Sequence, residues 1–227
     1  MQSLPNLTCV VFSWGSHFDK YGQDFMKCVV AVDPQPTEFL FLTDKLREDL
    51  PNNFRQVLLP DIGFNNWMRY PLEHIKTDWW CTLGLDDLVP VDGFSDLVFD
   101  GEIVVSASMD SNGVVHTPTR EGYDSMFEQR EFQMQGWWMA KVGLFERIPS
   151  RPVVWEDWIQ WFEFKMHDVD VRFDLKIRQF YRLHNEQRSN VLIKEKANDA
   201  IDNINLMRKL ARQGKVKPGA VWPPELL

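Results

Sequence analysis

Four short apolar runs, separated by polar or helix-like stretches, narrow the possible folds more than any other feature of this chain. "LTCVVFSW" (7–14) is rich in β-branched residues and stops at Gly15 and Ser16. Residues 18–32 then carry Phe18, Tyr21, Gly22, Phe25, Met26 and Val29 at near-helical spacing. "EFLFLTD" (38–44), "RQVLLP" (55–60) and "WWCTLGL" (79–85) read as three further strands. Between them, "DKLREDL" reads as a short polar helix, and 65–76 as a helix interrupted near Pro71. Strands alternating with helices predict an α/β domain around a mostly parallel sheet. In such sheets ligands lie beyond the carboxyl ends of the strands. Trp14-Gly15, Asp44 and the pair Asp86-Asp87 are therefore expected on one rim.

The second half changes character. "EIVVSASM" (102–109), Asn112-Gly113 and "VVHT" (114–117) predict a small antiparallel hairpin, because Asn-Gly favours a type I′ turn. "EFQMQGWWMAKVGLF" (131–145) starts polar and turns aromatic. "VVWEDWIQWFEF" (153–164) predicts a helix with Trp155, Trp158, Ile159 and Phe162 on one face. At about 100° per residue Asp157 points nearly opposite that stripe, and Trp161 lies beside Asp157. Residues 188–214 predict a long amphipathic helix ending at Gly214.

A chain of 227 residues with 44% hydrophobic composition can bury one full core. No run approaches the ~18 apolar residues of a membrane span, and the N-terminus lacks the pattern of a signal peptide. Cys9, Cys28 and Cys81 are odd in number and set in apolar surroundings, as buried free thiols of a cytoplasmic protein would be. The net charge of −8 is unevenly spread: residues 77–119 hold eight acids and no Lys or Arg, whereas 176–217 hold eleven Lys and Arg against four acids. The acidic middle suits a divalent cation and excludes a chain-wide nucleic-acid surface, which needs a basic stripe. The basic third suits phosphates or an anionic partner, although most such charges simply solvate a surface.

Three motifs, in order, resemble those of family-2-type glycosyltransferases of the GT-A fold. "GLDDLVP" (84–90) is similar to the aspartate metal motif that follows the fourth strand. "QGWWMAKVGLFERIP" with "VVWEDWIQWF" is similar to the acceptor-side segment, which ends in Glu-Asp at a helix start. "YRLHNEQRS" (181–189) is similar to a terminal Tyr/Arg, His and Ser element. The resemblance implies a GT-A domain over 1–189, with a nucleotide-binding half (1–100) and an acceptor-side half (101–189), followed by a C-terminal helix and tail (190–227). One departure stands out: the family often writes Asp-x-Asp-Asp, and Gly84 occupies the place of the first Asp.

The chemistry expected from this resemblance is transfer of a sugar from a nucleotide-diphosphate donor, UDP-sugar favoured, to an acceptor hydroxyl. Mn2+ or Mg2+ between carboxylates and diphosphate would offset both the repulsion of the acidic pair and the charge of the leaving group. The resemblance implies Asp87 as the direct ligand and Asp86 as a contact to sugar, ribose or metal, with His184 completing the metal site. Arg188 and Ser189 would add donors to the diphosphate. Asp44 resembles a residue that reads a uracil imide; alternatively it caps the helix expected at 45–50. Arg69 is a candidate for the pyrophosphate or ribose, or a solvated helix charge. Of the tryptophans Trp14, Trp137, Trp138 and Trp161, most are core and one or two stack on base or sugar, Trp14 being the candidate. Asp157 is the general base for the acceptor hydroxyl, with Glu156 as its understudy, and one base suffices for an inverting displacement. Alternatively, acids in a first helical turn merely complement the helix dipole. The acceptor is a protein, a glycan or a modified nucleic-acid base, and the long helix packs on its own domain or across a homodimer. The competing class is a GT-A-like protein that binds nucleotide sugars or a partner without turnover; a metal-dependent phosphohydrolase is the third.

Overall fold

The computed structural model describes residues 6–48, 50–59, 68–126, 136–149 and 156–184, together with 205, 209 and 213, and for 156–158 the backbone alone. The apolar runs form strands where expected: β1 (Leu7–Ser13), β2 (Glu38–Thr43), β3 (Phe54–Leu58) and β4 (Trp79–Gly84), all mutually parallel. β1 lies between β2 and β4, with Cys9 in register with Phe39 on one side and Cys81 on the other. Its near-continuous hydrophobic sequence reflects burial on both faces, the usual condition of a parallel strand. Helix α1 (His17–Ala31) covers one face through Tyr21, Phe25 and Val29.

The other half of the sheet is mixed. β5 (Ile103–Asp110) and β6 (Val115–His116) form the expected hairpin, with Gly113 at φ +80° in its turn. A short helix, α2 (Arg120–Asp124), follows with Thr119 as its cap. β7 (Trp137–Lys141) runs antiparallel to both β4 and β5, and leads directly into α3 (Val142–Arg147). Then come α4 (Glu156–Met166) and the eleven-residue β8 (Val171–Tyr181), parallel to β5 with a bulge near Ala107. The eight strands make one sheet, ordered β3-β2-β1-β4-β7-β5-β6, with β8 added to β5. Because β1, β2, β4, β5 and β8 point the same way, their carboxyl ends share a rim.

Three sequence expectations change. "DKLREDL" forms no helix over its described residues: Gln56 takes the Arg47 N–H on Oε1 (2.8 Å) and donates to the Arg47 carbonyl (2.6 Å), which straps the segment to β3. Over its described residues, 68–76, the interrupted helix near Pro71 is one 3₁₀ turn, Tyr70–Glu73. Helix α4 is enclosed rather than one-sided: Ile159, Gln160, Trp161, Phe162, Glu163, Phe164 and Met166 are all buried. Tyr123 and Phe145 pack edge-on against its Trp161 and Phe164, so other helices cover the flanks a simple stripe would leave open. The predicted helix over 188–214 lies outside the described residues apart from three isolated positions. Among the described residues no helix is long and apolar enough to cross a membrane, and all three cysteines are free.

Candidate active site

The acidic pair that ends β4 separates into two environments. The chain turns after Gly84, with the Asp87 N–H donating to the Gly84 carbonyl (3.1 Å). Leu88 then forms a two-hydrogen-bond antiparallel bridge with Phe180 near the end of β8 (3.0 and 2.7 Å). This clip turns Asp87 inward, where it is 5% exposed. Its carboxylate accepts from Gln179 Nε2 (2.7 Å) and from the Arg182 backbone N–H (3.2 Å). With residues 179–182 held in this way, His184 arrives beside the other aspartate: its Nε2 lies 2.6 Å from Asp86 Oδ2. The two carboxylates also explain Gly84. A Cβ there would sit 2.5 Å from Asp87 Oδ2 and 2.7 Å from Asp86 Oδ1, so the carboxylates fill the space a side chain would need.

A third side chain reaches Asp86 from the end of β1. Gly15 adopts φ +55°, a conformation easy only for glycine, and its N–H donates to Asp44 Oδ2 (2.8 Å). The reversed chain starts α1 at His17, whose Nε2 lies 3.9 Å from the same Asp86 Oδ2. The three ligand atoms of His17, Asp86 and His184 all lie within 4.8 Å of one another. Tyr21, one turn into α1, sets the two imidazoles: its ring meets His17 edge-on at 5.1 Å and His184 at 5.3 Å. Lys20 and Arg182 both approach the face of that ring, at 5.1 and 5.3 Å.

Of the residues singled out in the sequence, Asp86, Asp87 and His184 are thus brought together, and Asp44 stands one contact away through Gly15. With no helix at 45–48, Asp44 is not a helix cap. Trp14 is half-buried and stacked on Phe12 (5.5 Å, 15° between planes), at the same rim. Arg69 is exposed before the 3₁₀ turn, and among the described residues no ion pair joins it to the acidic pair. Trp137 and Trp161 are core. Glu156 and Asp157 open α4, their side chains outside the described part; Arg188 and Ser189 lie wholly outside it. His17 and Tyr21 are the additions. Their signal was present: a residue two places past a rim glycine faces the same edge.

Burial first, and the charge of Asp86 second, push the Asp87 carboxyl from the ordinary 3.8 up to about 7. An acid whose folded pKa is raised contributes its full stability below its unfolded pKa and loses it as pH rises through the folded value. In EDTA the protein is therefore expected to lose a few kcal/mol, at ~1.4 kcal/mol per unit, between pH 4 and 7. The Asp87→Asn variant should lack that decline, so melting curves of the two proteins should converge near pH 4 and separate at pH 8. Parallel curves across that range would contradict the assignment.

The parallel β3-β2-β1-β4 sector, the antiparallel β7 beside it and the acidic turn at the end of β4 make up an α/β fold of the GT-A-like kind. No protein-family model matches the sequence, and neither does any curated protein. Among solved structures the chain is similar to S. aureus TarS 1–349, with a TM-score of 0.58 and 12% identity over 91% of this chain and 72% of that one. It is also similar to that protein in complex with UDP (TM-score 0.57, 11% identity, 88% and 69% covered). The complex with UDP-GlcNAc matches with a TM-score of 0.60 at 10% identity, covering 91% and 73%. At such identities the likeness is one of fold.

Proposed function

We propose that the protein is a glycosyltransferase of the family-2 type, moving a sugar from a nucleotide-diphosphate donor, preferably a UDP-sugar, to an acceptor hydroxyl with inversion. One observation carries this reading: Asp86 and His184, 98 residues apart in sequence, meet at the carboxyl rim of a GT-A-like sheet whose structural neighbours were solved with UDP and UDP-GlcNAc. The residues there fit a divalent cation, because a carboxylate and imidazole nitrogens converge on one small volume; the family resemblance suggests Mn2+ or Mg2+. Asp86 and His184 would hold it. Asp87, expected from the resemblance as the direct ligand, has its carboxylate turned inward onto Gln179 and the Arg182 N–H, and would instead position both by fixing the turn and the end of β8. When bound, the cation supplies positive charge against the diphosphate leaving group.

The remaining chemistry belongs to the chain. Asp157 takes the proton from the acceptor hydroxyl as it attacks the anomeric carbon, with Glu156 beside it; direct displacement by one activated hydroxyl inverts the configuration. Arg188 and Ser189 would donate to the diphosphate, Asp44 would read the base and Trp14 would stack on it. The acceptor is a protein, a glycan or a modified base, and the C-terminal helix is a candidate homodimer element. The free thiols suit the cytoplasm.

A screen of nucleotide sugars for metal-dependent release of UDP tests the reading. One donor should be consumed well above the rest, and UDP with Mn2+ should raise the melting temperature. Asp157→Asn should lower kcat about a hundred-fold while leaving UDP affinity within about twofold. Stabilisation by UDP with no turnover of any donor would leave a binder; neither stabilisation nor turnover would remove the proposal.

A further inference from the structure

We infer that His17, Asp86 and His184 together form a two-imidazole, one-carboxylate site that selects a transition-metal cation over Mg2+. The inference rests on reading the acidic turn as a cation site, and goes beyond it by adding a ligand and fixing the class of metal. His17 belongs to none of the motifs that resemble a glycosyltransferase; only the fold brings it here.

Both imidazoles present Nε2 to the same oxygen, Asp86 Oδ2. The His184 separation of 2.6 Å is a hydrogen bond, whereas the His17 separation of 3.9 Å is too long for one. Two ligands each about 2.1 Å from a shared ion stand roughly 3–4 Å apart, so His17 is spaced as a co-ligand. The His184 hydrogen bond is the contact an ion would replace. Three separate elements deliver the donors: the first turn of α1, the turn after β4 and the segment after β8. Tyr21 packs against both rings. Asp87, a potential oxygen ligand, is instead turned inward onto Gln179 and Arg182.

That donor set decides the metal. Mg2+ takes oxygen ligands in near-ideal octahedral geometry and keeps its waters, and Mn2+ shares its preference for oxygen, whereas imidazole suits Fe2+, Ni2+, Cu2+ and Zn2+, with Co2+ between Fe2+ and Ni2+ in affinity. Two His and one carboxylate also leave coordination positions open, on which donor phosphate oxygens can sit.

The test measures metal binding directly, without donor or turnover. Full-length protein freed of metal by EDTA is titrated with Mn2+, followed by electron paramagnetic resonance, with Co2+, followed by visible absorption, and with Mg2+ in competition. Co2+ is expected to bind about a hundred-fold or more tightly than Mg2+, with Mn2+ between them. His17→Gln should weaken Co2+ about tenfold or more and alter its visible spectrum, while His167→Gln, after α4, should change neither. His17→Asp, an acid in a first helical turn and therefore compatible with α1, should keep cation binding but lose most of the preference over Mg2+. Equal affinity for Co2+ and Mg2+, or a His17→Gln protein with unaltered Co2+ affinity, overturns the inference and leaves the cation reading standing. Binding of neither metal overturns both.

Discussion

Gly84→Asp, which would restore the Asp-x-Asp-Asp spacing from which this chain departs, is expected to abolish donor turnover rather than improve it. The site around Gly84 is already full. A Cβ would stand 2.5 and 2.7 Å from carboxylate oxygens of Asp87 and Asp86, well inside contact distance. Gly84→Ala therefore displaces both acids, and a misplacement of about 1 Å at a reacting site costs on the order of a hundred-fold in rate. Gly84→Asp adds a third negative charge at the same point, and ~1.4 kcal/mol of extra repulsion brings the loss to about a thousand-fold. UDP release by purified, folded variants measures it, with circular dichroism confirming the fold. A Gly84→Asp protein as active as the parent would show that the carboxylates do not work where the fold places them. The departure at Gly84 thus has a spatial cause.

The largest stability effect is expected at Arg178. This guanidinium is 2% exposed, yet it belongs to the basic stretch whose composition suits an anionic partner. Within the fold it is paired internally: Nε meets Asp174 at 2.6 Å, and one terminal nitrogen donates to the Gly93 and Ser95 carbonyls at 2.7 and 2.9 Å. It joins β8 to the 91–96 turn, and Lys176 reinforces the joint through Asp92 (2.9 Å). Arg178→Met takes from Asp174 its charged partner, leaving only the Ser106 hydroxyl and the Lys176 N–H, and strips two carbonyls of a donor. Removing one partner of a buried pair costs about 3–5 kcal/mol, which lowers the melting temperature by roughly 10 °C in a domain of this size. Arg172→Met, at a half-exposed pair with Asp100 and Asp170, should cost less than about 1 kcal/mol. Thermal unfolding of the two variants side by side decides the matter, and similar melting temperatures would refute it.

β8 shows where sequence reading falls short. "VRFDLKIRQFY" (171–181) alternates apolar and charged residues, the signature of a strand, yet its last residues also open the motif with His184. Reading that segment for the motif passed over the strand that carries it. The charged alternation gave no sign that one of those cations, Arg178, would be buried. Helix α4 misled in the other direction: a stripe of Trp155, Trp158, Ile159 and Phe162 implied an open opposite face, but Gln160, Trp161, Glu163 and Phe164 are buried as well, with Tyr123 of α2 and Phe145 of α3 packed against Trp161 and Phe164.

The amino-acid sequence by itself determined the four parallel strands, the hairpin and the acidic turn at a strand end, because each depends on local hydrophobic period and turn chemistry. Only the tertiary structure decided which aspartate meets histidine, which turns inward, and that His17 joins them. Those outcomes depend on the Leu88–Phe180 bridge and on the Gly15–Asp44 contact, which join segments tens of residues apart. Local pattern specifies elements, whereas the direction a side chain faces at a rim depends on which distant strand closes against it.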